Sequence, residues 1–205
     1  MHLIKSIIIT ESKFSLKGLY KIFQGWMIVC FCLLSTTVFS ESYTKQQTLP
    51  LALKFKIFHS SNGIPLPEKT NDISSWLSQL TPVDKVQLTG GTFWYYSAIL
   101  PSDIDKQWVV DVTNSIVENI DFYLFSQNKK LHITSGYYDQ NDYAFHYGRT
   151  VTIEANTPYK LLVRLDSRYF ASQPRVEIQP LEIYRKTVLF DNVLLISSLG
   201  TLLAL

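Results

Sequence analysis

From residue 53 onward, apolar and polar positions alternate with a period of two over most of the chain. "LKFKI" sets Leu53, Phe55 and Ile57 against Lys54 and Lys56, the pattern of a strand with one buried face. "QWVVDV" puts Trp108, Val110 and Val112 on one side and Val109 and Asp111 on the other. "NIDFYLFS" alternates Ile120, Phe122 and Leu124 with Asp121, Tyr123 and Phe125. "YKLLVRLDS" sets Tyr159, Leu161, Val163 and Leu165 against Lys160, Leu162, Arg164 and Asp166, and "PRVEIQP" turns Val176 and Ile178 inward. With "TFWYYSAI", "LHIT" and "RTVTIEA" this predicts eight short strands separated by turn signals such as "SDIDK", "QNKK" and "NTP". Short strands with turns every 8 to 12 residues predict an all-β fold, an antiparallel β-sandwich or jelly roll.

Three stretches depart from this alternation. "NDISSWLSQL" carries Ile73, Trp76 and Leu80 at helical spacing behind Asp72 as N-cap, so a short helix precedes the strands. "FWYY" places four aromatics, Phe93 to Tyr96, after the glycine pair Gly90-Gly91. A strand cannot turn all four inward, so one alternate pair lines the sandwich and the segment around Trp76 covers the other. "SGYYDQNDYAFHYG", Ser135 to Gly148, reads as a long loop of aromatic and polar side chains.

The ends follow neither period. "MIVCFCLLSTTVF", Met27 to Phe39, is an uncharged apolar run behind Lys5, Lys13, Lys17 and Lys21, and ends with Val38 and Ser40 in the −3 and −1 positions of a cleavage site. That is the layout of a secretory signal peptide over residues 1–40; a membrane anchor is the alternative, although the run falls short of the ~20 residues that span a bilayer. At the other end "VLLISSLGTLLAL" has no charge. With apolar character beginning near Thr187, residues 187–205 read as the start of a transmembrane helix. Arg185 and Lys186 stand just before it, on the exported side, where the positive-inside rule disfavours them. The domain layout expected is therefore 1–40 signal peptide, 41–66 lead-in strand and loop, 67–186 β-sandwich, and 187–205 membrane helix.

Composition narrows the function classes. The 205 residues are 46% hydrophobic and 14% aromatic, with a formal charge of +2. Removing residues 1–40 takes four of the 19 basic residues and one of the 17 acidic ones, leaving 15 against 16. A near-neutral exported segment argues against a nucleic-acid partner. Both cysteines, Cys30 and Cys32, lie in the apolar run, so no thiol chemistry is expected in the folded part. No serine sits in a strained G-x-S-x-G turn, and no carboxylate pair stands at a signature spacing, so no catalytic residues are assigned and no enzymatic activity is expected. His59, His132 and His146 are isolated, and "DQNDY" lacks the glycine and distal glutamate of a calcium loop, so neither metal nor cofactor is expected.

The aromatic loop is the feature above background. Flat sugar faces stack on Tyr, and neighbouring Asp, Asn and Arg satisfy hydroxyls. Tyr137, Tyr138, Asp139, Tyr143, His146 and Arg149 are accordingly the candidate ligand contacts. The competing reading is that half of the loop's aromatics plug the end of the sandwich.

In order, "NDISSWLSQLTPVDKVQLTGGTFWYYSAIL", "KQWVVDVTNSIVENIDFYLFS" and "YGRTVTIEANTPYKLLVRLDSR" before an apolar helix resemble the second extracellular type of sensor domain of bacterial seven-transmembrane receptors with diverse intracellular signalling modules. The aromatic strand after a glycine, the "NIDFYLF" strand, and Arg149 and Arg164 by the late strands carry the resemblance over about residues 50–205, although the Arg and Asn usual around the aromatic strand are not evident. It implies a jelly-roll sensor related in shape to carbohydrate-binding modules, held in the periplasm at the inner membrane and feeding a diguanylate cyclase or histidine kinase output outside these residues. The partners expected are a small-molecule ligand, with carbohydrate one class it admits, the membrane through the C-terminal helix, and a second copy in a homodimer. The alternative is a secreted or anchored carbohydrate-binding or adhesion module with no signalling role.

Overall fold

The computed structural model describes residues 53–60, 65–100, 106–127 and 129–203. The signal peptide expected over residues 1–40 and most of the expected lead-in segment lie outside the described residues. The elements run β1 (Lys56–Ser60), a 3-10 turn (Thr70–Asp72), α1 (Ile73–Leu77), β2 (Thr81–Val83), β3 (Gly91–Ile99), β4 (Lys106–Thr113), β5 (Asn119–Phe125), β6 (Lys130–Ser135), β7 (Arg149–Ile153), β8 (Tyr159–Ser167), β9 (Arg175–Pro180) and α2 (Leu181–Leu203).

Two antiparallel sheets form from these strands. One has the order β2-β1-β3-β8-β5-β6 and the other β7-β4-β9. Successive strands switch sheets, β3 to β4 to β5 and β7 to β8 to β9, the winding of a jelly-roll sandwich. The register β3–β8, from Gly91↔Ser167 to Ile99↔Tyr159, is the longest ladder.

The inward faces are the ones the alternation predicts, and of the two pairs it left open in the aromatic run it is Phe93 and Tyr95 that turn inward. Phe93, Tyr95, Trp108, Val110, Val112, Ile120, Phe122, Leu161, Val163, Leu165, Val176 and Ile178 form one core between the sheets. Burying a large side chain of this kind contributes ~1.5–3 kcal/mol. Gly90, just before β3, has φ +98°, and a Cβ there would stand 2.1 Å from the Arg168 carbonyl oxygen, so the turn into the aromatic strand requires glycine.

The fold adds three corrections of detail. A ninth strand, β2, pairs with β1 through Ile57↔Val83 and His59↔Thr81. It is three residues long and contains Pro82, which suits only a sheet edge and gives the sequence no alternation to show. The helix near Trp76 is shorter than expected, and the Asp72 side chain does not cap it. Instead the Asp72 carbonyl accepts a hydrogen bond from Ser75 Oγ at 2.9 Å. Finally, α2 starts at Leu181, before the apolar character that begins near Thr187, so "LEIYRK" is already helix.

Each sheet carries a helix on its outer face. α1 and the residues around it bring Ile73, Trp76, Leu77 and Leu80 onto Trp94, Phe125 and Leu162 of the six-stranded sheet. Trp76 meets Trp94 edge to face at 4.8 Å and 85°. α2 brings Leu181, Tyr184 and Val188 onto Val109 of the three-stranded sheet. Val109, Phe125 and Leu162, apolar residues on outward faces, are buried because of these helices.

Candidate functional site

The place where the sandwich grips α2 is built from β4 and the loop before β7. On β4 the outward-facing Asp111 is 3% exposed. Its Oδ2 accepts a hydrogen bond from the Tyr184 hydroxyl at 2.8 Å, and its Oδ1 accepts one from the Val112 N–H at 2.7 Å. Burial pushes the Asp111 carboxyl up from its ordinary range, against the two hydrogen bonds and nearby His146, which lower it; Glu177 across the ladder raises it further. A charged group held here is stabilised only while its donors stay in place, so the pair fixes where Tyr184 can sit.

Gly148 makes the approach feasible. A Cβ at that position would lie 2.3 Å from the Tyr184 hydroxyl oxygen and 2.8 Å from Val109 Cγ1. Two of the expected ligand residues complete the seat. The Tyr143 ring stands edge-on to Tyr184 at 4.9 Å, and His146 lies 6.2 Å from the same ring. Tyr143 and His146 also pair with each other across a tight turn, His146 N–H to Tyr143 carbonyl at 3.2 Å.

Arg149 is taken up by the loop itself. Its Nε donates to the Thr134 carbonyl at 2.8 Å, Nη1 to Asp142 Oδ1 at 2.6 Å and Nη2 to the Gln140 carbonyl at 2.6 Å. Ser135 and Asn141 hold the loop from its other side, with Ser135 Oγ donating to the Tyr147 carbonyl and Asn141 Nδ2 to the Gly136 carbonyl. Tyr137, Tyr138 and Asp139 are exposed on the far side of this loop. Tyr137 and Tyr138 stand edge to face at 5.2 Å, and the Tyr138 hydroxyl accepts from Arg168 Nη2 at 3.3 Å. The six candidates thus divide: Tyr143 and His146 at the helix, Arg149 within the loop, and Tyr137, Tyr138 and Asp139 toward solvent.

Arg164 sits on the outer face of the six-stranded sheet. It pairs with Asp121 at 3.1 Å and Asp166 at 2.9 Å, and Asp121 also meets His132 Nε2 at 2.7 Å. His132 stacks on Tyr123 at 4.3 Å. These side chains are partly exposed and mutually satisfied.

Sequence reasoning missed the groove between the sheets at the β1–β9 edge. It measures about 1070 Å³, with Phe55, Ile57, Tyr95, Val176 and Ile178 along its walls and Asp84, Lys85, Asn114, Arg175 and Glu177 among its polar groups. The only signal for it is the partial burial of the β1 side chains, which depends on where β9 lies and not on β1's own pattern. Among the described residues no group of three or more His, Cys, Asp or Glu side chains is placed to hold a metal ion.

A sandwich that seats the first turns of a helix, where that helix, 23 residues from Leu181 to Leu203, is long and apolar enough to cross a membrane, fits a domain of a membrane protein. The sequence model of the 7TMR-DISM extracellular 2 domain matches residues 69–178, more than half of the chain, and the chain belongs to that family. It is a sensor domain of a membrane receptor, and the domain itself is non-catalytic. No curated protein matches the chain.

Proposed function

We propose that this chain is the periplasmic ligand-sensing domain of an inner-membrane receptor, exported by residues 1–40, with its diguanylate cyclase or histidine kinase output outside these residues. The observation that carries the proposal is the unbroken helix from Leu181 to Leu203, seated at Tyr184 on a buried carboxylate and apolar beyond it. Whatever alters the sandwich near Asp111 or the 136–148 loop alters the seat of that helix. Only a ligand with different affinities for two seatings shifts the balance between them.

The ligand is a small molecule, and the groove at the β1–β9 edge suits it better than the loop. Its volume is in the range of small-molecule sites, with apolar walls and a few polar groups. Tyr137 and Tyr138, by contrast, are 62% and 67% exposed. Glu177 links groove to seat, since it lines the groove and pairs in register with Asp111.

The test is a chimera in which residues 1–203 precede the helix bundle and output of a family receptor with a measurable activity. Gly148→Ala and Tyr184→Phe are expected to shift basal output in opposite directions from, or well beyond, a groove variant such as Ile57→Ala. Output that ignores both seat variants would favour an anchored binding module without signalling.

A further inference from the structure

The direction of α2 shows which end of the sandwich meets the membrane. Leu181 follows Pro180, which pairs with Trp108 near the start of β4. One turn later, Tyr184 reaches Asp111, three residues further along β4, and touches Gly148 at the end of the 136–148 loop. Helical side chains lean back toward the helix N-terminus, so the Tyr184 backbone lies no nearer the start of β4 than its hydroxyl does. The helix therefore travels along β4 toward Thr113, and from Leu181 to Val188 it advances about 10 Å over that strand's outer face. Residues 189–203 extend it by about 22 Å, and none of them is buried.

The end toward which it travels carries the loops 84–90, 114–118, 136–148 and 168–174. Their mutual bonds hold them as one surface: Tyr137 N–H to Val117, Phe170 N–H to Leu88, and Arg168 to Glu118 at 2.7 Å. Outside α2, eight large apolar side chains of the described residues are exposed, and six of them stand here: Leu88, Ile116, Tyr137, Tyr138, Phe145 and Tyr169. Phe145 is the extreme, 79% exposed at φ +65°, a left-handed position that a bulky residue rarely takes and that glycine or asparagine would hold without strain. A backbone cost that displays an aromatic ring outward points to a surface for that ring. The acids Glu118 and Asp142 are paired with Arg168 and Arg149, and Asp84 and Lys85 offset each other, so with Asp139 the end carries a small net negative charge and no strong field of either sign.

We infer that this loop end rests on the bilayer that α2 enters, with Tyr137, Tyr138, Phe145 and Tyr169 in the headgroup interface. Tyrosine favours that layer because its ring is apolar and its hydroxyl stays wet. The contact is aromatic rather than electrostatic, and it holds on zwitterionic lipid. It would make the sandwich and the helix two attachments to one membrane, so that tilting the sandwich strains the seat at Asp111. The inference rests on α2 being the membrane span and otherwise goes beyond the sensing proposal.

The test uses the full chain with Cys30→Ser and Cys32→Ser in phosphatidylcholine nanodiscs. A fluorophore is attached at Phe145→Cys, Tyr138→Cys, Leu100→Cys at the opposite end, or Leu199→Cys within α2, and headgroup-level nitroxide lipids quench it. Labels at 145 and 138 should be quenched several-fold more than the label at 100. Equal quenching at 145 and 100, with 199 in the bilayer, overturns the inference and leaves the receptor reading intact. A label at 199 outside the bilayer overturns both. Labels at 145 that approach one another between copies without lipid quenching assign the surface to a second copy instead. As a fold-independent control, Phe145→Gly should keep or raise the thermal midpoint while lowering the quenching at 138; unchanged quenching counts against the inference.

Discussion

The two outer faces of the sandwich are both capped by helices, yet the caps are built oppositely. On the six-stranded sheet the contact is a hydrocarbon and indole surface, Ile73, Trp76, Leu77 and Leu80 on Trp94, Phe125 and Leu162. Trp76 Nε1 is even buried without a hydrogen-bond partner among the described residues. On the three-stranded sheet Leu181, Val188 and the Tyr184 ring cluster with Val109, and the Tyr184 hydroxyl serves one buried carboxylate. Apolar burial is non-directional and tolerates small shifts, whereas a buried carboxylate has a narrow set of satisfactory geometries. The first cap holds the fold together. The second, attached to the helix that continues into the apolar segment, can register where the helix sits.

The largest expected effect breaks the first cap. Trp94→Ala removes the ring that meets Trp76 and Tyr123, at a cost of ~3–5 kcal/mol, read as a fall in the urea midpoint. If the caps are independent, amide exchange of residues 181–188 changes only with global unfolding. Gly148→Ala is next and strikes the second cap. A Cβ forced against Tyr184 and Val109 costs ~1–3 kcal/mol, and here exchange at 181–188 should rise well before the core opens. Equal exchange in the two variants would mean that the helix seat is not a separate unit.

This contrast also marks what was legible in the sequence. The inner faces were, because each strand's own alternation specifies them: Trp108, Val110 and Val112 inward, and one alternate pair of the Phe93 to Tyr96 run inward with the other under the segment around Trp76, although which pair took which side was left to the structure. The outer faces were legible only where an apolar residue sat at a polar position. Leu162 and Phe125 broke the alternation and are buried under α1 and its flanks. Asp111 broke nothing. An aspartate on the outward face of a half-buried strand reads as solvated, and only the return of α2 from 70 residues away buries it. The 136–148 loop shows the same limit: its aromatics were conspicuous, but composition could not show that Tyr143 and His146 turn to the helix while Tyr137 and Tyr138 turn away. The groove was invisible because it belongs to two strands distant in sequence.

Tyr184→Phe sharpens the second cap with a smaller change. The ring and its contacts with Tyr143 and His146 remain, but Asp111 keeps only the Val112 N–H as donor. Leaving one side of a buried carboxylate unserved costs ~1–3 kcal/mol, and the urea midpoint should fall accordingly. Trp76→Phe is the parallel change in the first cap. It removes an indole N–H that has no partner, so it should cost less than the ~3–5 kcal/mol of a large-to-alanine change at the same place.

The smallest effect is one of pH. Asp111 has its carboxyl raised chiefly by burial, so the folded protein holds that proton at a pH where the unfolded chain, near ~3.9, has released it. Between the unfolded value and the raised folded one, the folded state binds more protons, and stability from this group rises as pH falls. One carboxyl exchanges at most one proton, so the slope from this group stays below ~1.4 kcal/mol per pH unit, while Glu177 raises and His146 lowers its pKa. Asp111→Asn abolishes the proton exchange while keeping the shape. Wild type should therefore gain stability relative to the variant as pH is lowered from 7 toward about 4, measured as the difference of urea midpoints at each pH. Parallel profiles for wild type and Asp111→Asn would mean that the carboxylate is not held under the helix, and the second cap would then be no different in kind from the first.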